Sequence, residues 1–279
     1  MNKRRGMLLL IAFLYVAGAS FLFYPAVSNM ISRDRNERII SSYQESLEIT
    51  DQSVLDGIMA EAEEYNRNHK RNYVIDAFIE DCDHAASELY EGLLDPFGNG
   101  VMGYIEIPKI KETLAVYHGT SEAVLEQGVG HIEGTSLPIG GSGTHSVLAG
   151  HRGLPSAKLF TDLDRLEIGD DFYLHVIGRT LRYTVDRIIT VNPDDTEGLK
   201  IEEGQDHVTL LTCTPYGINT KRLLVRGKRA PYEECDESNI TEKKVASMSA
   251  KALIISLIVG FTVTLRLASK RKCGRMKNV

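Results

Sequence analysis

Cysteine is scarce in this chain of 279 residues, which has only Cys82, Cys213, Cys235 and Cys273. The four form no Cys-x-x-Cys pair and no zinc-like Cys/His spacing, so the pattern offers neither a zinc module nor a dithiol redox centre. No metal and no cofactor is expected. Basic residues form no block outside the two ends, and the formal net charge is −6, which argues against nucleic acid as a partner. Charge is missing altogether from Met7 to Ser32 and from Ala252 to Leu265. Hydrophobic residues make up 43% of the chain, ample for a core, although these two stretches take part of that share. The length fits one or two domains.

The uncharged stretches read as membrane spans. Met7 to Val27 supplies the run of about twenty apolar residues that crosses a hydrocarbon core. Lys3, Arg4 and Arg5 precede it and keep the N-terminus inside. A cleavable signal peptide is the competing reading, since Ala17-Gly-Ala-Ser and Ala26-Val-Ser offer small residues. The run is long for a signal sequence, which favours a retained anchor. Ala252 to Leu265 is shorter, but Lys251 can extend it by snorkelling. No polar face interrupts 252–260, so an amphipathic core helix fits poorly. Arg266, Lys270, Arg271, Lys272, Arg275 and Lys277 follow, placing that end inside as well. Everything from about Asn29 to Ala250 then lies outside the cell. The expected divisions are a tip and anchor over 1–28, a helical region over 29–100, a β domain over 101–230, a linker over 231–250, and a second span with a basic tail over 251–279.

In the helical region, Ile39, Ile40, Tyr43 and Leu47, then Val54, Leu55, Ile58, Met59, Ala62 and Tyr65, recur at steps of three and four. That spacing predicts two amphipathic helices standing between the membrane and the β domain, the second capped by Ser53. Further on, short apolar or β-branched runs predict strands at 104–107, 115–117, 146–148, 172–176, 181–185, 188–191, 208–211 and 223–225. Gly, Pro, Asn and Asp separate them, the pattern of a sandwich or barrel. Leu159, Phe160, Leu163 and Leu166 predict one helix among the strands, over 157–166.

Chemistry concentrates at Thr209-Leu-Leu-Thr-Cys213 and at Arg222, nine residues further on, across a Pro-Tyr-Gly-Ile-Asn turn. Two strands joined by that turn would bring a thiol against a guanidinium. A thiolate is a strong nucleophile near neutral pH, and arginine stays charged and can hold an oxyanion. A third candidate is His151, on the loop after the 146–148 strand. A catalytic cysteine needs an imidazole close in the fold, but there are eight histidines to choose from. On residue types alone, Cys213 as a buried small hydrophobe with Arg222 as a solvated edge residue stays open.

The motifs go further. Thr209-Leu-Leu-Thr-Cys213, Ala149-Gly-His151-Arg-Gly and Asn219-Thr-Lys-Arg222-Leu resemble the catalytic segments of sortases, cysteine transpeptidases of Gram-positive surfaces. Gly103-Tyr-Ile-Glu-Ile-Pro-Lys, Tyr117-His-Gly-Thr, Gly134-Thr-Ser-Leu-Pro and Leu154-Pro-Ser-Ala-Lys-Leu-Phe resemble the class C, pilin-polymerising branch. The resemblance runs from about Gly103 to Gly227 and implies a mainly β fold. That fold would be a closed sortase-type β-barrel with N-terminal helices and two flanking transmembrane helices, its active site at one rim. It implies Cys213 as nucleophile, His151 as acid and base, and Arg222 as oxyanion partner. If Cys213 is catalytic and Cys273 lies inside the cell, Cys82 and Cys235 are the one disulfide pair left open, and nothing in the sequence places them together.

The class C pattern also implies a lid, an acidic residue and an aromatic one covering the site. Asp95-Pro96-Phe97 matches the literal motif, but by position the lid belongs upstream, which favours Asp76 and Phe78 with alanine between them. Arg226 is a less fitting oxyanion partner than Arg222, and His118, His131 and His145 read as structural. Thr212 and Thr214 flank the nucleophile and are expected to shape the groove. The implied partners are LPXTG-bearing pilin subunits and a pilin lysine as acceptor, with the enzyme a membrane-embedded monomer. A housekeeping sortase, which hands its acyl group to a cell-wall precursor, is the alternative. A membrane-tethered scaffold with an incidental cysteine is the non-enzymatic one.

Overall fold

A half-buried strand buries every second side chain, and in a computed structural model of the chain Asp171–Val176 and the first half of Arg179–Val191 do so. The structure describes residues 3–68, 78 and 88–232. Asp76, Cys82, Cys235, Cys273 and the expected span at 252–265 lie outside the described residues. Among the described residues there are eight strands: β1 Val101–Ile107, β2 Glu112–His118, β3 Val129–His131, β4 Thr144–Ala149, β5 Asp171–Val176, β6 Arg179–Val191, β7 Asp206–Thr214 and β8 Lys221–Ala230. They close into a barrel in the order β1-β2-β3-β4-β7-β8-β6-β5. The β2–β3 and β4–β7 pairs are parallel, and the others are antiparallel.

Two apolar layers follow from the alternation. Ile105, Val116, Leu148, Phe172, Leu210 and Val225 belong to the cluster that draws on strands all round and fills the barrel. Their neighbours Val147, Ala149, Leu211 and Leu224 belong to a separate cluster on the opposite face of β4, β7 and β8. Leu125 and Leu199, from outside the strands, cover that second cluster. Each side chain fully buried in this way contributes about 1.5–3 kcal/mol.

The helices hold the barrel rather than stand apart from it. Helix α1, Lys3–Ile49, is 47 residues long, about 70 Å at 1.5 Å per residue. It is the one helix among the described residues long and apolar enough to cross a membrane, and Phe13, Phe21, Leu22 and Phe23 are exposed along it. Its second half lies against β1 and β2. Arg33 and Lys158 flank the carboxylate of Glu112, which is only 3% exposed. Without both cations that buried charge would be strongly destabilising. Asn36 Oδ1 accepts the Ala115 N–H at 3.0 Å. Tyr43 Oη donates to the Met102 carbonyl at 3.1 Å and accepts from the Ile177 N–H at 3.0 Å.

Helix α2, Gln52–Asn68, packs Leu55 and Met59 with Tyr90, Leu137 and Ile177. Asn66 fixes it by bonding both the N–H and the carbonyl of Leu137. Two single-turn helices, α3 (Glu88–Glu91) and α4 (Glu122–Leu125), complete the α-helices among the described residues.

Several expectations need correction. The cap of α2 is Asp51, whose Oδ1 accepts the Ser53 N–H at 2.8 Å and the Ser53 hydroxyl at 2.6 Å. Ser53 is the donor there, not the cap. The helix expected at 157–166 is a run of turns with a single 3-10 turn at Leu163–Arg165. Leu159 sits at φ +40°, which breaks helical continuity while its side chain stays buried. The two strands expected at 181–185 and 188–191 are one strand, β6, with a register shift between Val185 and Arg187. A bulge of this kind puts the apolar period out of phase without ending the strand. Strand β3 was not anticipated, because three residues around Gly130 carry too little pattern.

The buried histidines give this fold a defined acid response. His131 is enclosed by Tyr90, Thr135 and the Ser136 carbonyl, and His145 bonds the Lys200 carbonyl and Thr209. Burial lowers both from 6.5 to about 4. The unfolded chain therefore takes up protons near pH 6.5 while the folded chain does not, so stability falls as pH falls through that window. Thermal melting should show Tm decreasing between about pH 6.5 and about 4. The His131→Gln protein should show a shallower slope, by one proton's contribution.

Candidate active site

Strand register brings Cys213 and Arg222 together. They are direct partners across the antiparallel β7–β8 pair, and each is 7% exposed. Directly opposed residues in such a pair point to the same face, with Cβ atoms about 4.5–5.5 Å apart. Leu211 and Leu224 occupy that same face two residues away on each strand. The thiol therefore lies on the outer apolar layer of the wall, not inside the barrel. It is a buried cysteine.

The parallel pairing of β4 with β7 places His151. Ala149 is level with Leu211, and two residues further along each strand come His151 and Cys213. The pairing continues past the end of β4, since the Gly150 N–H bonds the Leu211 carbonyl at 3.0 Å. Thr212 Oγ1 donates to the Gly150 carbonyl at 2.6 Å. Glycine is required at position 150 because a Cβ there would lie 2.7 Å from the Phe160 ring. That close approach seats Phe160 beneath the loop, and its N–H bonds the His151 carbonyl at 3.2 Å.

Phe78 covers the two polar groups. Its ring centroid is 5.6 Å from that of His151, and the Arg222 guanidinium carbon lies 5.2 Å from the same centroid. Arg222 is held from below, with Nη1 donating to the carbonyls of Asn219 and Lys221 at 3.2 Å each. One aromatic ring thus contacts both expected partners of Cys213. The second lid candidate goes elsewhere. Asp95 accepts the N–H groups of Asn99 and Gly100 at 3.0 Å each and shapes the entry to β1. Phe97 packs on Tyr43 of α1 with ring centroids 5.7 Å apart.

Arg226 is engaged by Asp186 and Glu202. Thr212, expected to shape the groove, is fully buried and fastens the His151 loop instead. Arg152 escaped sequence reasoning: its Nη1 donates to Thr214 Oγ1 at 3.0 Å and its Nη2 to Asp164. It ties the residue after His151 to the residue after Cys213, and no spacing in the sequence announces it. Among the described residues no group of three or more metal-ligating side chains converges.

Electrostatics favour a neutral imidazole at rest. Desolvation by burial lowers the His151 pKa below 6.5, and Glu122 on α4 and Glu126 just after it oppose that in part by attracting a proton.

Comparison with known proteins agrees with this geometry. Residues 105–230 match the Sortase domain family. The structure of sortase C from Streptococcus pneumoniae is 45% identical and superposes with a TM-score of 0.66, covering 70% of this chain and 97% of that one. The chain belongs to the sortase family. A structure of sortase C1 from Streptococcus agalactiae is 46% identical, with a TM-score of 0.64, covering 70% of this chain and all of that one. Among curated relatives, sortase A of Bacillus anthracis is 32% identical over 127 residues, 46% of this chain and 59% of that protein. Sortase D of Bacillus subtilis is 32% identical over 130 residues, 46% of this chain and 63% of that protein. This sortase-family chain therefore spans about three fifths of the length of these curated relatives. The match to these class C structures covers 70% of this chain, and the match to these curated sortases A and D covers 46%.

The ring of Phe78 lies against both His151 and Arg222, which makes its effect on access to Cys213 testable. In the Phe78→Ala protein, alkylation of Cys213 by iodoacetamide, followed by mass spectrometry, should be several-fold faster than in the parent. An unchanged rate would mean that the ring does not control access.

Proposed function

We propose that this chain is a class C sortase that cleaves the Thr–Gly bond of an LPXTG-like sorting signal and joins the threonine to a lysine amine of another pilin subunit. The observation that carries the reading is the single aromatic ring of Phe78 against both His151 and Arg222, with Arg222 paired to Cys213. The resting site is covered, as a polymerising enzyme that waits for a defined substrate requires.

In the proposed reaction the Cys213 thiolate attacks the threonine carbonyl carbon, and the carbonyl oxygen becomes an oxyanion beside the Arg222 guanidinium. Collapse breaks the C–N bond, and the departing glycine amine takes a proton from the His151 imidazolium. The thioester is then attacked by the lysine amine, which gives a proton to neutral His151. The C–S bond breaks, the thiolate returns, and an isopeptide bond remains. Asp76 joins Phe78 as the lid in this reading. The two-span topology, with the barrel outside the cell, belongs to the same proposal and is supported by the apolar half of α1.

A sorting-signal peptide incubated with the ectodomain over Asn29 to Ala250 should leave a thioacyl adduct on Cys213, detected by mass spectrometry. Cys213→Ala should abolish it, and Phe78→Ala should increase it. Product formation with a pilin lysine peptide separates a class C enzyme from a housekeeping one, which should prefer a cell-wall amine. If no adduct forms even in the Phe78→Ala protein, the scaffold reading takes over.

The pH profile gives a second check. Because burial lowers the His151 pKa, the acid limb of kcat/KM should fall below pH 6.5. Glu122 and Glu126 raise that pKa, so Glu122→Gln with Glu126→Gln should move the limb further down. A limb that stays in place would show that neither carboxylate acts on the imidazole.

A further inference from the structure

The barrel exposes its large apolar side chains at one end only. Among described residues from 101 to 232 these are Ile168, Tyr216 and Ile218, at 71%, 60% and 66% exposure. Tyr216 and Ile218 lie on the turn between β7 and β8, next to Cys213 and Arg222. Ile168 precedes β5, beside the β1–β2 turn, where Lys109 bridges to Glu167 and Asp170. Strand directions put both turns, and the loop after His151, at the same end of the barrel.

Scattered apolar residues are ordinary on a protein surface, and their meaning here comes from α1. That helix meets the barrel at this same end. Ser28 Oγ donates to the Ser156 carbonyl at 3.1 Å, Asn29 Oδ1 accepts the Lys158 N–H at 3.0 Å, and Arg33 Nη2 donates to the Lys111 carbonyl at 3.4 Å. The continuous exposed run ends at Val27, one residue before these contacts begin, and beyond it Ile31 is the one large apolar side chain exposed before Ile49. Helical structure is unbroken from Lys3 to Ile49, so no spacer separates the stretch from the barrel. From Val27 to Arg33 the axis advances only about 9 Å.

We propose that this end of the barrel is a membrane-contact surface, seated on the outer phospholipid leaflet with Ile168, Tyr216 and Ile218 at the interface. The proposal rests on the reading of α1 as a membrane anchor. Tyrosine suits this position, its ring in the acyl boundary and its hydroxyl in the headgroups. Charges of both signs lie on these loops, Lys109, Lys111, Arg165 and Lys221 beside Asp164, Glu167, Asp170, Asp194 and Asp195, with no basic excess to draw anionic lipid. The contact is therefore apolar and independent of lipid charge. The catalytic mouth then opens at the height where a substrate tethered in the same bilayer leaves it.

The chain has no tryptophan, so single tryptophan substitutions report without background. The full chain is reconstituted in phosphatidylcholine vesicles whose acyl chains are brominated close to the headgroup. Four variants are compared: Phe21→Trp in the apolar stretch, Ile168→Trp and Ile218→Trp at the rim, and Glu203→Trp on the exposed loop before the opposite end of β7. Loss of most emission from Phe21→Trp, Ile168→Trp and Ile218→Trp, with Glu203→Trp unaffected, is the expected result. Quenching of Phe21→Trp alone overturns the contact surface and leaves the anchor standing. No quenching of Phe21→Trp overturns the anchor reading and the contact with it. Equal quenching of Glu203→Trp, or rim quenching seen only after phosphatidylglycerol is added, overturns the proposed seating.

Discussion

The site depends on two strand pairings that meet at β7. Parallel pairing with β4 sets His151 level with Cys213, and antiparallel pairing with β8 sets Arg222 directly opposite it. The first relation is not local: β4 and β7 lie more than fifty residues apart in the chain. A slip of one residue in either pairing would turn the displaced side chain to the other face. Register is specified because both faces of β7 are buried, one in the barrel interior and one under Leu125 and Leu199. The two apolar clusters thus act as the alignment gauge for three polar side chains.

That dependence explains which parts were legible in the sequence. Strands with clean alternation, such as β5, and apolar runs, such as 208–211, declare themselves. Cys213 and Arg222 are joined by one short turn, so their pairing is close to a local fact. The position of His151 is not, and neither its spacing nor its type distinguishes it from the other histidines. The motif resemblance pointed to it, and the β4–β7 register gives the physical reason. Strand β3 and the Asp51 cap were missed for opposite reasons. In β3 the pattern is too short. At Asp51 two capping residues stand two positions apart, and only geometry shows which accepts. The helix expected at 157–166 failed because apolar residues at helical steps also fit an irregular loop whose side chains fill the barrel.

The attachment of α1 shows how polar contacts position a long element. Tyr43, Asn36 and Glu112 are buried, and each is satisfied across the helix–barrel interface. Losing any one would leave a buried polar group unpaired, which costs more than the bond itself contributes. These contacts fix the rotation and height of the helix more sharply than apolar packing alone would. The two helices expected between the membrane and the β domain are present, and these contacts pack them on the barrel.

The covered site sets a physical problem for the proposed chemistry. A thiolate–imidazolium pair needs two charges where burial disfavours both, and the lowered pKa of His151 is the visible sign of that bias. Phe78 lies on His151 and beneath the Arg222 guanidinium, so it excludes water from the groups that must become charged. Moving the ring aside would readmit solvent and weaken the desolvation that holds the imidazole neutral. The same motion would clear the approach to Cys213. In the proposed chemistry, access to Cys213 and charging of His151 would therefore be coupled through one side chain, since the ring that lies on the imidazole also lies on Arg222.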